Sequence, residues 1–343
     1  MRRYIDVFKN SGWLFIDRSL RSLVGFYISI KIANYLGVTQ FGTYNLALSL
    51  FAIILPFASL GLNNIFIREF VKNSSKRNIT FFSSLTLKLI GSFITILIAL
   101  IIYIIFPSYQ DVSKLTLIMA IGIPFLSFDI IELSLQALLK SRKIVFIKLI
   151  AFIISSIIKL MVIYLQMSIS YLAWAITFDF ILSGIILFSS MKLIDINFRD
   201  MQIDFSRVKE LFKDSFPLLL SGFMITIYMR IDQLMLGYYI DEQAVGIYSI
   251  AVRFTELWYI IPTVLISSFL PKFTEIKKKS NLLFFNEIQN LYKLFVLISL
   301  ITCLFINLFS TIIIDSLFNQ EYNEASIYLN LLIWSIVFTN LGM

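Results

Sequence analysis

Histidine is absent from the sequence and cysteine occurs once, as Cys303. One cysteine cannot form an internal disulfide, and a structural zinc, haem or iron–sulfur site lacks its usual ligands. No resident cofactor or metal is therefore expected. Phosphate-loop, HExxH and GxSxG patterns are missing, which removes the commonest nucleotide and hydrolase sites. Charge is also scarce, at 15% of residues against roughly 25% in a soluble domain. The N-terminus is basic, with Arg2, Arg3 and Lys9. No short apolar run with a small-residue cleavage site follows, so the first hydrophobic segment reads as a retained span.

What the chain has instead is apolar surface. Of its 343 residues 59% are hydrophobic, and mean hydropathy is +0.87. A soluble protein of this size needs far more polar residues to cover its exterior. The composition excludes a soluble enzyme, a nucleic-acid-binding domain and a disordered chain. The net charge of +8 fits basic loops against an anionic leaflet, with membrane lipid as partner and not nucleic acid.

A helix needs about 20 mostly apolar residues to span a bilayer. Ten such segments read at about 12–36, 43–70, 80–106, 115–138, 144–166, 169–190, 215–237, 245–270, 287–313 and 325–343. Their length and continuous hydrophobicity exclude a transmembrane β-barrel. The expected fold is an all-α polytopic membrane protein. The odd-numbered gaps hold Lys114 as their one basic residue, whereas the N-terminus, the even-numbered gaps and adjoining span ends hold 20. By the positive-inside rule the N-terminus is cytoplasmic. The polar stretch 191–214 ends in Phe205, Val208, Leu211 and Phe212 at helical spacing, which predicts a short amphipathic surface helix.

The two halves repeat. Phe8-Lys9-Asn10-Ser11 answers Phe212-Lys213-Asp214-Ser215, and Leu36-Gly37 answers Leu236-Gly237. Gly42-Thr43-Tyr44 with Ala47 answers Gly246-Ile247-Tyr248 with Ala251, at an offset of 204. An even number of spans in the first half makes the repeat parallel, an arrangement common in secondary transporters. The expected division is a six-helix bundle over 1–190, a cytoplasmic linker over 191–214, and a second bundle over 215–343. That second bundle shows four spans and ends inside an apolar run, so it reads as incomplete.

Thirteen ionisable groups lie inside the spans: Asp17, Arg18, Arg21, Lys31, Lys88, Asp129, Glu132, Lys159, Asp179, Arg230, Asp232, Arg253 and Glu256. Each costs about 2.5–3.5 kcal/mol if it faces lipid at mid-span. Most must face a watery cavity or one another. Lys31, Lys88 and Arg18 sit near span ends, where snorkelling is an equal reading. Asp129 and Glu132 share one helical face; as a packing pair they need a shared proton or an outside cation. Arg21, Lys159, Arg230 and Arg253 are the candidates for binding an anion, since Arg and Lys both suit phosphate. Asp129, Glu132, Asp179, Asp232 and Glu256 are the candidates for a coupling ion, H⁺ or Na⁺. Tyr and Trp at span ends read as interface belt, with sugar stacking as the other use. Pro56, Pro124 and Pro262 predict kinks.

These residues resemble the Wzx-type flippases of the multidrug/oligosaccharidyl-lipid/polysaccharide exporter superfamily. The resemblance rests on Tyr35-Leu36-Gly37 with Phe41-Gly42-Thr43-Tyr44-Asn45-Leu46-Ala47, on the run from Arg230 to Gly237, and on Val245-Gly246-Ile247-Tyr248-Ser249 with Arg253, Glu256, Trp258-Tyr259 and Ile261-Pro262. It implies about twelve or more helices in two equal bundles. It also implies a central cavity and export of undecaprenyl-pyrophosphate-linked oligosaccharide, an O-antigen or capsule repeat unit, across the bacterial inner membrane by alternating access. Polysaccharide assembly proteins are the expected partners. Two other readings remain: a cation-coupled multidrug antiporter of the same superfamily, which wants an acidic or apolar cavity, and a membrane glycan polymerase or glycosyltransferase. Against an enzyme, every outer loop is shorter than about a dozen residues.

Reporter fusions at residues 75 and 241 should report opposite sides of the membrane, since their loops lie on opposite sides of the basic asymmetry. Same-side labelling would overturn the orientation.

Overall fold

The computed structural model describes the backbone of residues 2–194, 196, 201–259, 262, 266, 269, 273, 276, 277 and 280–342. Among these residues there is helix and no strand. The helices are α1 (Arg2–Ile54), α2 (Pro56–Ser59), α3 (Leu62–Lys72), α4 (Arg77–Ile105), α5 (Gln110–Ile121), α6 (Ile123–Leu126) and α7 (Asp129–Ala137). They continue as α8 (Ser141–Tyr164), α9 (Ile169–Ser189), α10 (Phe205–Tyr239), α11 (Glu242–Trp258), α12 (Asn281–Leu317), α13 (Ala325–Leu332) and α14 (Ser335–Gly342).

Among the described residues, seven helical stretches are long and apolar enough to cross a membrane, or eight when α5 and the α6–α7 stretch, bent by 41°, count as one span. The ten expected segments all fall on helix where described. The lower number has two sources. Phe15–Lys72 counts once although it holds two segments, parted at Gly37, whose φ of 71° breaks the helix inside α1. The described part of span eight, α11, is 17 residues long, and most of its expected second half lies outside the described residues.

The breaks follow the sequence. Pro56 opens α2 after a turn at Leu55, and Leu60 and Gly61 take positive φ before α3. Gly122 and Pro124 interrupt span four. The kink expected at Pro262 lies among residues mostly outside the description. The predicted amphipathic helix is instead the start of α10. Asp204 caps it, its Oδ1 accepting from the backbone N–H of Ser206 at 2.8 Å, and the helix runs on through Pro217 without a stop. Leu211 is buried with Leu60, Leu62, Ile65 and Leu87, whereas Phe205 is exposed. Apolar surface on α3 and α4 thus captures the segment and prevents a separate surface helix.

Two compact units form. One holds residues 1–17 and 43–241, the other 18–42 and 242–343. The units assign span one and span seven differently from the division read off the sequence.

In the first unit, Phe66, Phe70, Phe81, Phe82, Ile130, Ile131 and Leu135 pack into a buried core. Gly61 lets α10 approach: a Cβ there would lie 2.6 Å from the Ser215 carbonyl oxygen. Beside it Arg207 is bonded to Glu69 at 2.6 Å and to Glu210 at 2.7 Å, and Arg68 to Asp214 at 2.7 Å. Ser49 donates to Gln233 Oε1 at 2.5 Å, joining span two to span seven.

In the second unit, Val38 N–H donates to Glu321 Oε2 at 3.4 Å beside the Gly37 break. Asn319 donates to Asn34 twice, from its backbone N–H to Oδ1 and from its side-chain amide to the carbonyl, both at 3.0 Å, and the buried Tyr322 hydroxyl donates to the Ala33 carbonyl at 2.9 Å. Burial pushes the Tyr322 hydroxyl pKa up. The repeat-related glycines meet: a Cβ on Gly246 would lie 2.2 Å from the Val38 carbonyl oxygen and 3.2 Å from the Gly42 nitrogen, and one on Gly42 1.7 Å from the Glu242 carbonyl oxygen. Glycine here serves close helix approach, the usual means of packing in a bilayer.

Gly246→Ala should therefore destabilise the protein by about 1–3 kcal/mol, the overpacking range, and lower its thermal midpoint in detergent. Gly25→Ala, where a Cβ meets nothing within 4 Å, is the control. Equal midpoints for the two variants would refute the close-packing role.

Candidate functional site

Span three carries a polar stripe at helical spacing: Thr80, Ser84, Lys88, Ser92 and Thr95 on α4, all buried. The opposite face, with Phe93, Leu97, Ile101 and Ile104, is exposed and apolar. The stripe turns inward toward a cavity of about 480 Å³ in the first unit. Asn63, Lys88, Ser92, Ser127, Asp129, Thr226 and Arg230 give its polar lining.

The chain breaks bring these groups together. The Leu60–Gly61 turn starts α3 and sets Asn63 in its first turn. The interruption after Gly122 ends with α7, which begins at Asp129. Lys88 Nζ then reaches both: it donates to Asp129 Oδ1 at 2.5 Å and to Asn63 Oδ1 at 2.8 Å. The Lys88 side chain is 2% exposed and that of Asp129 23%. Ser92 and Ser127 share a hydrogen bond at 2.8 Å, and Ser92 also donates to the Lys88 carbonyl at 2.7 Å. Across the cavity, Gly222, Thr226 and Arg230 recur every four residues along α10.

Of the candidate anion-binding residues, this cavity takes Arg230. Lys159 lies on α8 in the same unit. Arg21 and Arg253 lie in the second unit. Of the acidic candidates, Asp129 lines the cavity. Glu132, one turn on along α7, accepts from Lys148 Nζ at 2.9 Å. Asp179 stands on α9, Asp232 on α10 and Glu256 on α11. Asp129 and Glu132 find cations from outside the pair. Each has a lysine of its own, because Lys88 and Lys148 come from the neighbouring helices α4 and α8.

Lys88 was open to the snorkelling reading, and its burial settles it as a cavity-wall group. Its polar stripe at four-residue spacing was the available signal. Asn63 gave none, since one asparagine near a span end has no periodic partner. Lys31 behaves differently: it is exposed, its ammonium 5.6 Å from the Tyr27 ring centroid. The stripe on α10 divides in use. Thr226 and Arg230 face the cavity, whereas Gln233 is bonded to Ser49, and Gly237 sits against Leu46.

The fold is that of known membrane transporters. An inward-facing multidrug resistance transporter of the MATE family, in the MOP superfamily, matches with a TM-score of 0.66 at 17% identity, over 94% of this chain and 79% of that one. A MATE point mutant matches at 0.68 and 18%, over 98% and 80%. A MOP superfamily transporter from Pyrococcus furiosus, described as having a binding pocket of reverse polarity that suggests a different function, matches at 0.63 and 16%, over 98% and 80%. No curated protein sequence matches the chain. The family model described as "Polysaccharide biosynthesis protein" matches residues 7–277, and the chain belongs to that family.

Proposed function

We propose that this protein is a flippase that carries a polyprenyl-diphosphate-linked oligosaccharide, an O-antigen or capsule repeat unit, across the bacterial inner membrane by alternating access. The N-terminus and the 191–214 segment lie in the cytoplasm. The protein transports its substrate and does not transform it.

The observation that carries this reading is Arg230 in the wall of the cavity, in a chain of the polysaccharide biosynthesis family. A guanidinium offers a fork of donors that matches two oxygens of a diphosphate. The cavity's other charges, Lys88 and Asp129, pair with each other. A guanidinium in the wall suits an anionic headgroup better than a drug cation. Arg21, Lys159 and Arg253 supply further positive charge along the path. Asp179, Asp232 and Glu256 are the carboxylates through which H⁺ or Na⁺ coupling would run; Asp129 and Glu132 are each bonded to a lysine. A membrane potential negative inside favours outward movement of an anion by about 2.3 kcal/mol per charge per 100 mV.

Protein purified into lipid nanodiscs should bind a polyprenyl diphosphate more tightly than the uncharged polyprenol. Arg230→Ala should weaken diphosphate binding by about 10- to 150-fold, matching a charged hydrogen bond of about 1.5–3 kcal/mol. Arg230→Lys should lose less, because the charge remains and the fork does not. Equal affinity of the wild type for diphosphate and alcohol would overturn the headgroup reading. So would unchanged diphosphate binding by a well-expressed Arg230→Ala protein. Preference for a lipophilic cation would favour the drug antiporter.

A further inference from the structure

We propose that Lys88 is a counter-cation built into the chain, holding at Asp129 the position that a coupling Na⁺ would otherwise take. The carboxylate of Asp129 is thereby closed to metal-ion coupling.

The argument starts from the oxygen atoms. Asp129 Oδ1 and Asn63 Oδ1 converge on one point in the cavity wall. Carboxylate and amide carbonyl oxygens are hard ligands of the kind that bind hard cations. The point where they converge is occupied by the Lys88 ammonium, at 2.5 Å from one and 2.8 Å from the other. An ammonium is a compact cation with three donors and no acceptor. It satisfies the same two oxygens a metal ion would, without leaving its helix.

Displacing it is costly. The Lys88 side chain is 2% exposed, and its stem lies in the buried polar stripe of α4. An incoming Na⁺ would take both acceptors and leave the ammonium charged and unbonded in a poorly solvated wall. An uncompensated buried charge is the most destabilising product of breaking an ion pair. Moving Lys88 into the cavity would also bring its charge toward Arg230, which lines the same space. The two cations would then repel each other.

The pair also balances the charge of Asp129 from within the chain, whether or not Na⁺ is present. Removing Lys88 would free Asp129 to balance Arg230 or to take a cation. The proposal concerns the cavity in which the Arg230 reading is set, and it does not require an anionic substrate.

The test uses the whole purified chain in detergent, with thermal unfolding followed in NaCl and in choline chloride at equal concentration. Lys88→Met keeps the length of the side chain and removes its charge. It should acquire a Na⁺-specific rise in midpoint of about 2 °C or more over the wild-type response, the size expected when a ligand well above its Kd binds the folded state. Adding Asp129→Asn to Lys88→Met should abolish that rise. Lys88→Gln gives the same comparison with a polar side chain should Lys88→Met fail to reach the membrane. A Na⁺-specific rise in the wild type that Asp129→Asn removes would overturn the proposal. A folded Lys88→Met or Lys88→Gln protein with no added Na⁺ response would overturn it as well. No arm contains a lipid diphosphate, so the outcome is independent of the binding measured for Arg230.

Discussion

Lys88 and Asp129 are full charges on segments whose neighbours are apolar, and neither reaches bulk water easily. On insertion scales each would cost about 2.5–3.5 kcal/mol at the centre of a span. Their contact at 2.5 Å offsets that cost only if helices from three spans come together at one place. The chain meets this condition by breaking two of them. Span two stops at Leu60–Gly61 so that α3 can present Asn63, and span four bends by 41° before α7 begins at Asp129. The buried hydroxyls of Ser92 and Ser127 pair beside the lysine, so the wall of the cavity is polar and satisfied. The kinks, the polar stripe and the cavity answer one electrostatic constraint.

A second constraint is packing without water. Lipid is as apolar as leucine, so helices in a bilayer gain from close approach and complementary polar contacts more than from hydrophobic burial. Gly42 against Glu242 and Gly246 against Val38 are backbone contacts that no side chain allows. These two glycines are the ones the internal repeat matches, and in the second unit they lie beside each other. Gly37 and Gly237, matched by the same repeat, have parted ways. Gly37 is a left-handed break beside Glu321, and Gly237 is helical and sits against Leu46. The close contact thus joins two glycines that the repeat pairs, whereas the break falls at one member of the other pair.

The helical class and the placement of the spans were legible because lipid demands long apolar runs, and such runs cannot be hidden. The kinks at Pro56 and Pro124 were equally visible, because proline removes a backbone donor wherever it stands. The cavity was visible in part. Arg230 and Asp129 stood out as charges deep in apolar spans. What joins them did not, because pairing depends on how α4 and α7 face each other. No spacing within either helix encodes that. The lysine partners of Asp129 and Glu132 lie 41 and 16 residues away in sequence. The amphipathic segment at 205–212 was misplaced for a related reason: its apolar face was evident, but the surface that receives it belongs to α3 and α4.

The fold itself does not select a substrate. Chains sharing it with this protein at 16–18% identity include a multidrug resistance transporter and one described by a pocket of reverse polarity. Function in such a set is decided by the side chains that line the cavity. In this chain one substitution of charge would change the cavity's character. Lys88 balances the charge of Asp129; an apolar residue at 88 would leave that carboxylate without its lysine in a wall that also holds Arg230. The α4 helix would still be buried along Thr80, Ser84, Ser92 and Thr95, so the scaffold would tolerate the change far better than the ligand would. Whether that carboxylate stands paired or bare in the cavity wall thus turns on one side chain of α4, with the helices left where they are.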